Sequence, residues 1–230
     1  MKAKVFLAIS MIALSVTGVS AQSKIVYGGL SLPNGDFSEY DLDKYYNYDG
    51  KEGGAGKGFN VGFKYVQPFS DSKLNWFLSA ELLYNGLNSD LKDEFEEKYD
   101  PESVKYETYF NVPVMGGINY SLADLSPDVS LWVEMGIGVN CRIMSKFNLE
   151  AKNGSEYDVN YERSFCFAYQ FGGGLKINNR YIVGLSYYDL GSDKIRGEKS
   201  YKGNSGLDEK IKTKKELSTT TLAVRVGYIF

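Results

Sequence analysis

The sequence predicts an all-β fold, an eight-stranded antiparallel up-and-down transmembrane β-barrel. Three observations predict it: eight segments have strand composition, short and long connections alternate between them, and the strands have one apolar and one polar face. The chain has 230 residues, of which 43% are apolar and 15% aromatic, so it can bury a sizeable core. Its mean hydropathy is −0.30 and only the N-terminal stretch is continuously apolar, which excludes a bundle of membrane-spanning helices.

Eight segments are rich in β-branched, aromatic and glycine residues. They are 24–32, 58–69, 74–86, 105–120, 129–145, 160–177, 180–190 and 217–230. The connections 70–73, 121–128 and 178–179 are short, whereas 33–57, 87–104, 146–159 and 191–216 are long and polar. Because short and long connections alternate strictly, one end of the barrel is expected to carry tight turns and the other long, loosely structured excursions.

The first 21 residues have the layout of a secretory signal peptide. Lys2 and Lys4 precede an apolar run from Val5 to Val16, and small residues lead to a cleavage site after Ala21. A membrane anchor is the alternative, but the run is too short to cross about 30 Å of hydrocarbon as a helix. We therefore predict a signal peptide at 1–21 and a single barrel domain at 22–230.

The charged residues of the strands are predicted to face the inside of the barrel. In the fifth segment one parity is apolar from Leu131 to Ile143, and the other carries Glu134, Arg142 and small residues. These charges are sparse and share their parity with glycine, as expected for a narrow lumen, whereas a soluble barrel would place apolar residues inside. Across all segments the polar parity collects Lys64, Glu81, Glu107, Glu134, Arg142, Glu162, Lys176 and Arg225.

Hairpin symmetry predicts which of these charges pair. Reflection about the 121–128 turn places Glu107 opposite Arg142, and the next loop brings Glu162 close to the same arginine. The first short turn sets Lys64 near Glu81. The interior of an eight-stranded barrel is just filled by its own side chains, so such ion pairs would plug it. We therefore expect little or no open-pore conductance.

Two segments resemble a known family. The last strand alternates apolar and small or polar residues and ends at Tyr228, Ile229 and Phe230. A terminal aromatic residue of this kind resembles the signature of bacterial outer-membrane barrels, in which the last strand carries the assembly signal. Residues 109–120, which begin Tyr-Phe-Asn-Val-Pro-Val, are similar to the Tyr/Leu-x-Ile-Pro-Leu-Leu pattern of the outer-membrane β-barrel (porin-like) family common in Bacteroidetes.

The resemblance implies a location and partners, but "porin" in a family name does not establish transport. It implies an integral protein of the bacterial outer membrane, in contact with outer-membrane lipids and lipopolysaccharide. It also implies that Tyr228 and Phe230 form a signal for the barrel-assembly machinery.

Composition excludes several kinds of chemistry. The absence of histidine excludes His-dependent triads and His-containing zinc sites, and a net charge of −3 argues against nucleic-acid binding. The run from Gly53 to Gly58 lacks the first glycine and the Ser or Thr of a phosphate-binding loop. Cys141 and Cys166 have opposite parities, which disfavours a disulfide. We predict no catalytic residue, no bound metal and no cofactor.

The long connections carry charges of opposite sign. Connection 87–104 is mainly acidic but lacks the regular ligand spacing of a calcium loop. Connection 191–216 is basic, which suggests contact with lipopolysaccharide headgroups or with the acidic loop. Its cations are Lys194, Arg196, Lys199, Lys202, Lys210, Lys212, Lys214 and Lys215. Tyr40, Tyr45, Tyr46 and Tyr48 are predicted to pack over the barrel mouth, and binding of an extracellular protein or glycan is the alternative.

Three functional hypotheses follow. The leading one is a non-enzymatic outer-membrane barrel with a plugged lumen, whose long loops serve surface interaction or envelope integrity. The second is a porin for small solutes or lipids, and the third is a secreted soluble barrel that binds a ligand in its lumen.

Overall fold

The structure is a computed structural model that describes residues 22–42, 52–69, 72–202 and 208–230. The predicted signal peptide lies outside these residues. No helix in the described part of the chain is long and apolar enough to span a bilayer.

The described strands form one antiparallel sheet, and eight of them close into a ring. The ring strands are β1 (Ser23–Asn34), β2 (Ala55–Pro68), β3 (Leu74–Leu87), β5 (Tyr109–Ser126), β6 (Val129–Met144), β9 (Ser164–Ile177), β10 (Tyr181–Lys202) and β11 (Asp208–Ile229). They follow one another around the ring in this order, and β11 closes it by pairing with β1 from Ile25↔Ile229 to Asn34↔Thr220. The predicted antiparallel up-and-down barrel is thus confirmed.

Tight turns join ring strands at one end of the barrel. Asn178 and Asn179 adopt φ angles of 52° and 53°, the left-handed pair that a two-residue hairpin requires. The predicted 121–128 turn is wrong in length, because β5 continues to Ser126 and β6 begins at Val129.

The long connections are more structured than predicted. Connection 87–104 contains helix α1 (Ser89–Tyr99), which is capped by the Asn88 side chain accepting a hydrogen bond from the Asp90 backbone N–H. The short strands β4 (Ser103–Lys105), β7 (Phe147–Glu150) and β8 (Glu156–Tyr161) extend the sheet beyond the ring, from β10 through β8 and β7 to β4. These three strands were not predicted.

The basic connection 191–216 is largely a hairpin and not a loop. Strand β10 continues to Lys202 and β11 resumes at Asp208, so the two strands pair far beyond the ring. A bulge between Asp189 and Ser192 marks where the hairpin leaves the ring. Together with α1, β4, β7 and β8, this hairpin forms what we call the lid, at the end opposite the tight turns.

Glycine makes room for aromatic rings inside the ring. A Cβ on Gly62 would lie 2.6 Å from the ring of Tyr27, and one on Gly136 would lie 2.9 Å from the ring of Phe77. Both aromatic residues are buried in the lumen. Glycine on the inner parity therefore lets large side chains cross the narrow interior.

Candidate functional site: the plugged lumen and its lid

The outer face of the ring is apolar and exposed. Along β6 and β9 the side chains alternate between exposed apolar residues and buried polar or small ones. Ile137 is 62% exposed and Phe167 is 65% exposed, whereas Asn140 and Gln170, which have the opposite parity in the same two strands, are buried. A water-soluble protein rarely exposes so large an apolar surface, so this face is built for an apolar environment.

Aromatic pairs lie near both ends of this apolar face. At the tight-turn end Tyr181 packs against Tyr228, with ring centroids 5.6 Å apart. At the lid end Phe59 stacks on Tyr84 with centroids 5.0 Å apart, and Tyr84 contacts Phe110. Two aromatic bands that bracket an apolar zone are typical of membrane barrels, in which such rings sit at the two interfaces.

Two ion pairs cross the centre of the lumen. The Lys64 ammonium lies 2.6 Å and 2.5 Å from the two carboxylate oxygens of Glu134. Arg225 donates to Glu81 and also approaches Glu134, with 3.4 Å between Nη1 and Oε1. Gln170 donates a further hydrogen bond to Glu134. The two cations balance the two anions, so the cluster has no net charge and needs no external counter-ion.

Aromatic side chains complete this cluster, which we call the plug. The Tyr188 hydroxyl donates to Glu81 at 2.6 Å, and the Tyr27 hydroxyl donates to the same carboxylate at 3.1 Å. The Arg225 guanidinium lies 4.6 Å from the centroid of the Tyr27 ring, and the Lys64 ammonium lies 4.7 Å from that of Phe77. Salt bridges, hydrogen bonds and cation–π contacts thus tie the strands together across the lumen.

The expected pairing of Lys64 with Glu81 is wrong. Lys64 on β2 pairs with Glu134 on β6, and Glu81 on β3 pairs with Arg225 on β11. These partners are three strands apart around the ring, because long side chains reach across the narrow lumen. Hairpin symmetry aligns only neighbouring strands and could not find them.

Within the described part of the chain, Arg142 forms neither of its two predicted ion pairs. It is buried, and its guanidinium donates to the backbone carbonyls of Leu217 and Gly191 at 3.1 Å and 2.9 Å. Glu162 is exposed in the connection between β8 and β9, so its predicted place in the lumen is wrong. Glu107 is buried but precedes β5, within the lid. Both predicted strands began too early, which put these glutamates in the barrel.

Lys176 lies half-buried on the inner face at the tight-turn end, away from the plug. It lines a cavity together with Trp132 and the two plug residues Lys64 and Glu134. Of the eight predicted lumen charges, Lys64, Glu81, Glu134 and Arg225 therefore meet in one cluster, and the other four do not join it.

The lid has an apolar core of its own. Leu91 and Phe95 of α1 are buried one turn apart against Phe147 of β7 and Leu217 of β11. The rings of Phe95 and Phe147 meet edge to face with centroids 6.0 Å apart. The Tyr109 hydroxyl, at the start of β5, donates to the Gly53 carbonyl and ties the core to the barrel mouth. The lid is therefore a folded cap and not a set of free loops.

Buried charge also occurs inside the lid. Lys215 is 4% exposed, and burial lowers its pKa from the usual 10.5 to about 8, although the nearby Glu107 and Glu52 carboxylates oppose this shift. The basic composition of segment 191–216 predicts that Lys215 lies with its surface lysines. That expectation is wrong, because Lys215 has the inward parity of β11 next to Leu217.

Other basic residues of the hairpin do face outward. Arg196 pairs in register with Lys214, and Glu198 with Lys212. With Glu162 and Tyr161 these four residues line an open groove of about 850 Å³ on the outer face of the lid. The groove lies on the same face as the exposed apolar residues of β10, beyond the bulge.

The first long connection is only partly described. Tyr40 packs against the lid core, whereas Tyr45, Tyr46 and Tyr48 lie outside the described residues. Cys141 and Cys166 are free thiols, and Cys166 pairs in register with Asn140 rather than with Cys141.

Ring topology, outward apolar face and aromatic bands together define a class, the outer-membrane β-barrels. The profile of the "Outer membrane protein beta-barrel domain" family matches residues 5–230, so the chain belongs to this family. Membership supports an outer-membrane location. No curated protein matches the sequence.

Solved structures share the fold at low sequence identity. The outer membrane protein OprG from Pseudomonas aeruginosa is 17% identical with a TM-score of 0.50, and the match covers 94% of this chain and 99% of that one. A major outer membrane protein from Thermus thermophilus is 12% identical with a TM-score of 0.50, covering 92% of this chain and 100% of that one. Both likenesses concern the fold alone.

Proposed function

We propose that the chain is an eight-stranded transmembrane barrel that does not conduct and that presents a folded lid at the cell surface. The observation that carries this proposal is the double closure of the lumen. The plug of Lys64, Glu134, Arg225 and Glu81 fills the middle of the barrel, and the apolar core of the lid covers one mouth. A plugged and capped barrel has no water-filled path, so its work lies in surface interaction or envelope integrity and not in catalysis.

Two measurements test the proposal. Membrane fractionation with heat-modifiable gel mobility should find the protein in the outer membrane as a folded barrel, and planar bilayers should record no ohmic single-channel current. A steady conductance would favour the alternative, a small-solute or lipid porin. A mature protein that stays soluble without detergent would favour a secreted ligand-binding barrel.

The outward groove of the lid supports lipopolysaccharide as a partner. Arg196, Lys212 and Lys214 lie on the outer face of the hairpin beyond the bulge, on the side of the apolar zone where phosphate-bearing headgroups would lie in this orientation. Replacing these three residues with Gln should weaken binding of lipopolysaccharide vesicles. Because Lys215 is buried, it belongs in none of these variants.

The C-terminal strand supports recognition by the barrel-assembly machinery. Tyr228 and Phe230 both expose their rings on the outer face, with centroids 5.1 Å apart. Deleting Phe230 should lower the yield of heat-modifiable barrel in cells without changing refolding into detergent. Equal yields in cells would contradict an assembly role. The assignment to Bacteroidetes stays a prediction.

A further inference from the structure

Helix α1 carries an acidic stripe on the side that faces away from the core of the lid. Its buried residues Leu91 and Phe95 pack against Phe147 and Leu217, which lie on the inner face of the lid sheet formed by β11, β10, β8, β7 and β4. At about 3.6 residues per turn, the opposite side of the helix is acidic and exposed. Its carboxylates are Asp90, Asp93, Glu94 and Glu97, which we call the acidic stripe.

The outer face of the lid sheet carries a basic stripe along β11. Lys210, Lys212 and Lys214 are exposed and have the parity opposite to the buried residues Lys215 and Leu217. In this part of β11 the described strands provide only β10 as a neighbour, so the three lysines, which we call the basic stripe, stand at the rim of the sheet. Because α1 packs on the inner face, the two stripes lie on opposite sides of the lid.

Neighbouring side chains reduce the charge of the acidic stripe without cancelling it. Lys98 follows Glu94 by about one helical turn, and Lys57 lines the same surface pocket as Asp90. Four carboxylates and these two lysines leave this side of the lid with two net negative charges.

The basic stripe likewise keeps part of its charge. Beside it lie Arg196, Glu198 and Glu162, and next along the hairpin Lys194 pairs in register with Glu216. Glu198 forms a salt bridge with Lys210 at 3.0 Å. These neighbours add two cations and three carboxylates to the three lysines, so two net positive charges remain.

The two stripes therefore match in charge, and they also match in length. The acidic stripe extends over seven residues of a helix, or about 10 Å, and the basic stripe over four residues of a strand, or about 13 Å. A single copy cannot join its own stripes, because the apolar core of the lid lies between them. Two barrels in one membrane share one orientation, so a translation in the membrane plane brings the acidic stripe of one copy to the basic stripe of the next.

We propose that the lid binds a second copy of this chain, through a head-to-tail contact between the acidic stripe of one copy and the basic stripe of the other. Because the two surfaces differ, each pair leaves one stripe of each kind unused, and the contact continues into a row. Exposed ion pairs are individually weak, and confinement to the membrane supplies the local concentration at which several of them hold neighbours together. Lys212 and Lys214 are also residues for which lipopolysaccharide is proposed above, so the two partners compete for the basic stripe.

Energy transfer between labelled copies in phosphatidylcholine vesicles tests the contact, because these vesicles contain neither lipopolysaccharide nor another anionic lipid. Cys141 and Cys166 are replaced, and a donor or an acceptor is attached through Asp124→Cys, which is exposed at the tight-turn end and away from both stripes. Transfer should exceed the value for copies that meet at random at the same surface density. It should fall to that random value when salt is raised from about 0.1 M to about 1 M, which shortens the Debye length from about 10 Å to about 3 Å. Transfer at the random value in low salt, or transfer that high salt does not reduce, would overturn the proposal.

Charge reversals assign the contact to the two stripes. Asp93→Lys with Glu97→Lys should lower transfer to the random value, and so should Lys212→Glu with Lys214→Glu, since like charges then face each other. The variant with all four substitutions has the natural net charge and complementary stripes again, so it should regain the transfer of the natural sequence.

The matched control reverses two charges at the opposite end of the barrel. Lys73→Glu with Arg180→Glu changes the net charge as much as the reversal of the basic stripe does, and it should leave transfer unchanged. A fourfold variant that stays at the random value, although its heat-modifiable mobility shows a folded barrel, would contradict the proposal. Transfer that persists in either stripe reversal, or that occurs only after lipopolysaccharide is added, would contradict it as well.

Discussion

The ring and the lid bury opposite kinds of residue. In the ring, salt bridges and amides are inside and apolar side chains are outside. The lid buries Leu91, Phe95 and Phe147 and, apart from Glu107 and Lys215, exposes most of its charges. Strand β10 contains both patterns. Leu185 and Tyr187 are exposed below the bulge, and Lys194 and Arg196 are exposed above it while Ile195 is buried. The exposed side chains of β10 thus change from apolar to charged at the bulge, which is where we infer that the outer face passes from lipid to water.

The largest effect is expected from breaking the plug. Arg225→Met leaves the buried Glu81 carboxylate without its cation, which should cost about 3–5 kcal/mol of the free energy of unfolding. Urea titration in detergent, followed by heat-modifiable mobility, measures this loss. Lys73→Gln, which breaks an exposed pair with Asp124, should cost less than about 1 kcal/mol. Equal effects of the two variants would mean that the plug does not stabilise the barrel.

A substitution in the core of the lid should lower the stability of the lid and leave that of the ring unchanged. Phe95→Ala removes a ring that is buried against Phe147, so we expect the lid to lose about 3–4 kcal/mol of local stability. Limited proteolysis should cut the lid faster while the heat-modifiable mobility of the ring stays unchanged. The matched variant Glu94→Ala, exposed on the same helix, should behave like the natural sequence. Loss of ring mobility in Phe95→Ala would show that lid and ring unfold together.

A charge introduced on the outer face should destabilise the protein when it is placed in the ring and not when it is placed in the lid. Ile137→Lys places an ammonium near the middle of the apolar zone, which costs about 2–4 kcal/mol at a bilayer midplane. Ile211→Lys, at an exposed lid position, should change stability by less than about 0.5 kcal/mol. Refolding yields in lipid vesicles as a function of urea give both values. A tolerated lysine at position 137 would contradict the assignment of this face to lipid.

The smallest expected effect is a pH dependence of the stability of the lid. Because the pKa of Lys215 is lowered to about 8, the folded lid holds fewer protons than the opened lid between pH 8 and pH 10. Lid stability should therefore rise with pH in this window, and the opening constant should fall by up to about tenfold per pH unit. Below pH 8 Lys215 is charged in both states and contributes no slope.

Hydrogen exchange of lid amides, corrected for its intrinsic pH dependence, measures this trend. Lys215→Met should remove it, and Lys210→Met, on the outward face, should leave it. A slope that survives in Lys215→Met would assign the pH dependence to another group.

Strand parity in the sequence predicted much of the ring but little of the lid. The alternation around Glu134 and Ile137 requires only a backbone period of two. Local sequence is therefore sufficient to predict which side chains face the lumen and which face outward. The partner of Lys64 depends on which side chains meet across the lumen, and that depends on shear and tilt, which no single strand encodes. The lid is hard to predict from local sequence because α1 buries only Leu91 and Phe95, and β7 and β8 are short.

The most direct test compares the two outer faces in one protein. With Cys141 and Cys166 replaced, a nitroxide spin label is attached at position 137 on the ring or at position 198 on the lid, in lipid vesicles. Electron paramagnetic resonance then measures collisions with oxygen, which concentrates in lipid, and with a water-soluble nickel complex. We predict oxygen-dominated collisions at 137 and nickel-dominated collisions at 198. Nickel-dominated collisions at both positions would contradict the account, since the outer face of the ring would then lie in water.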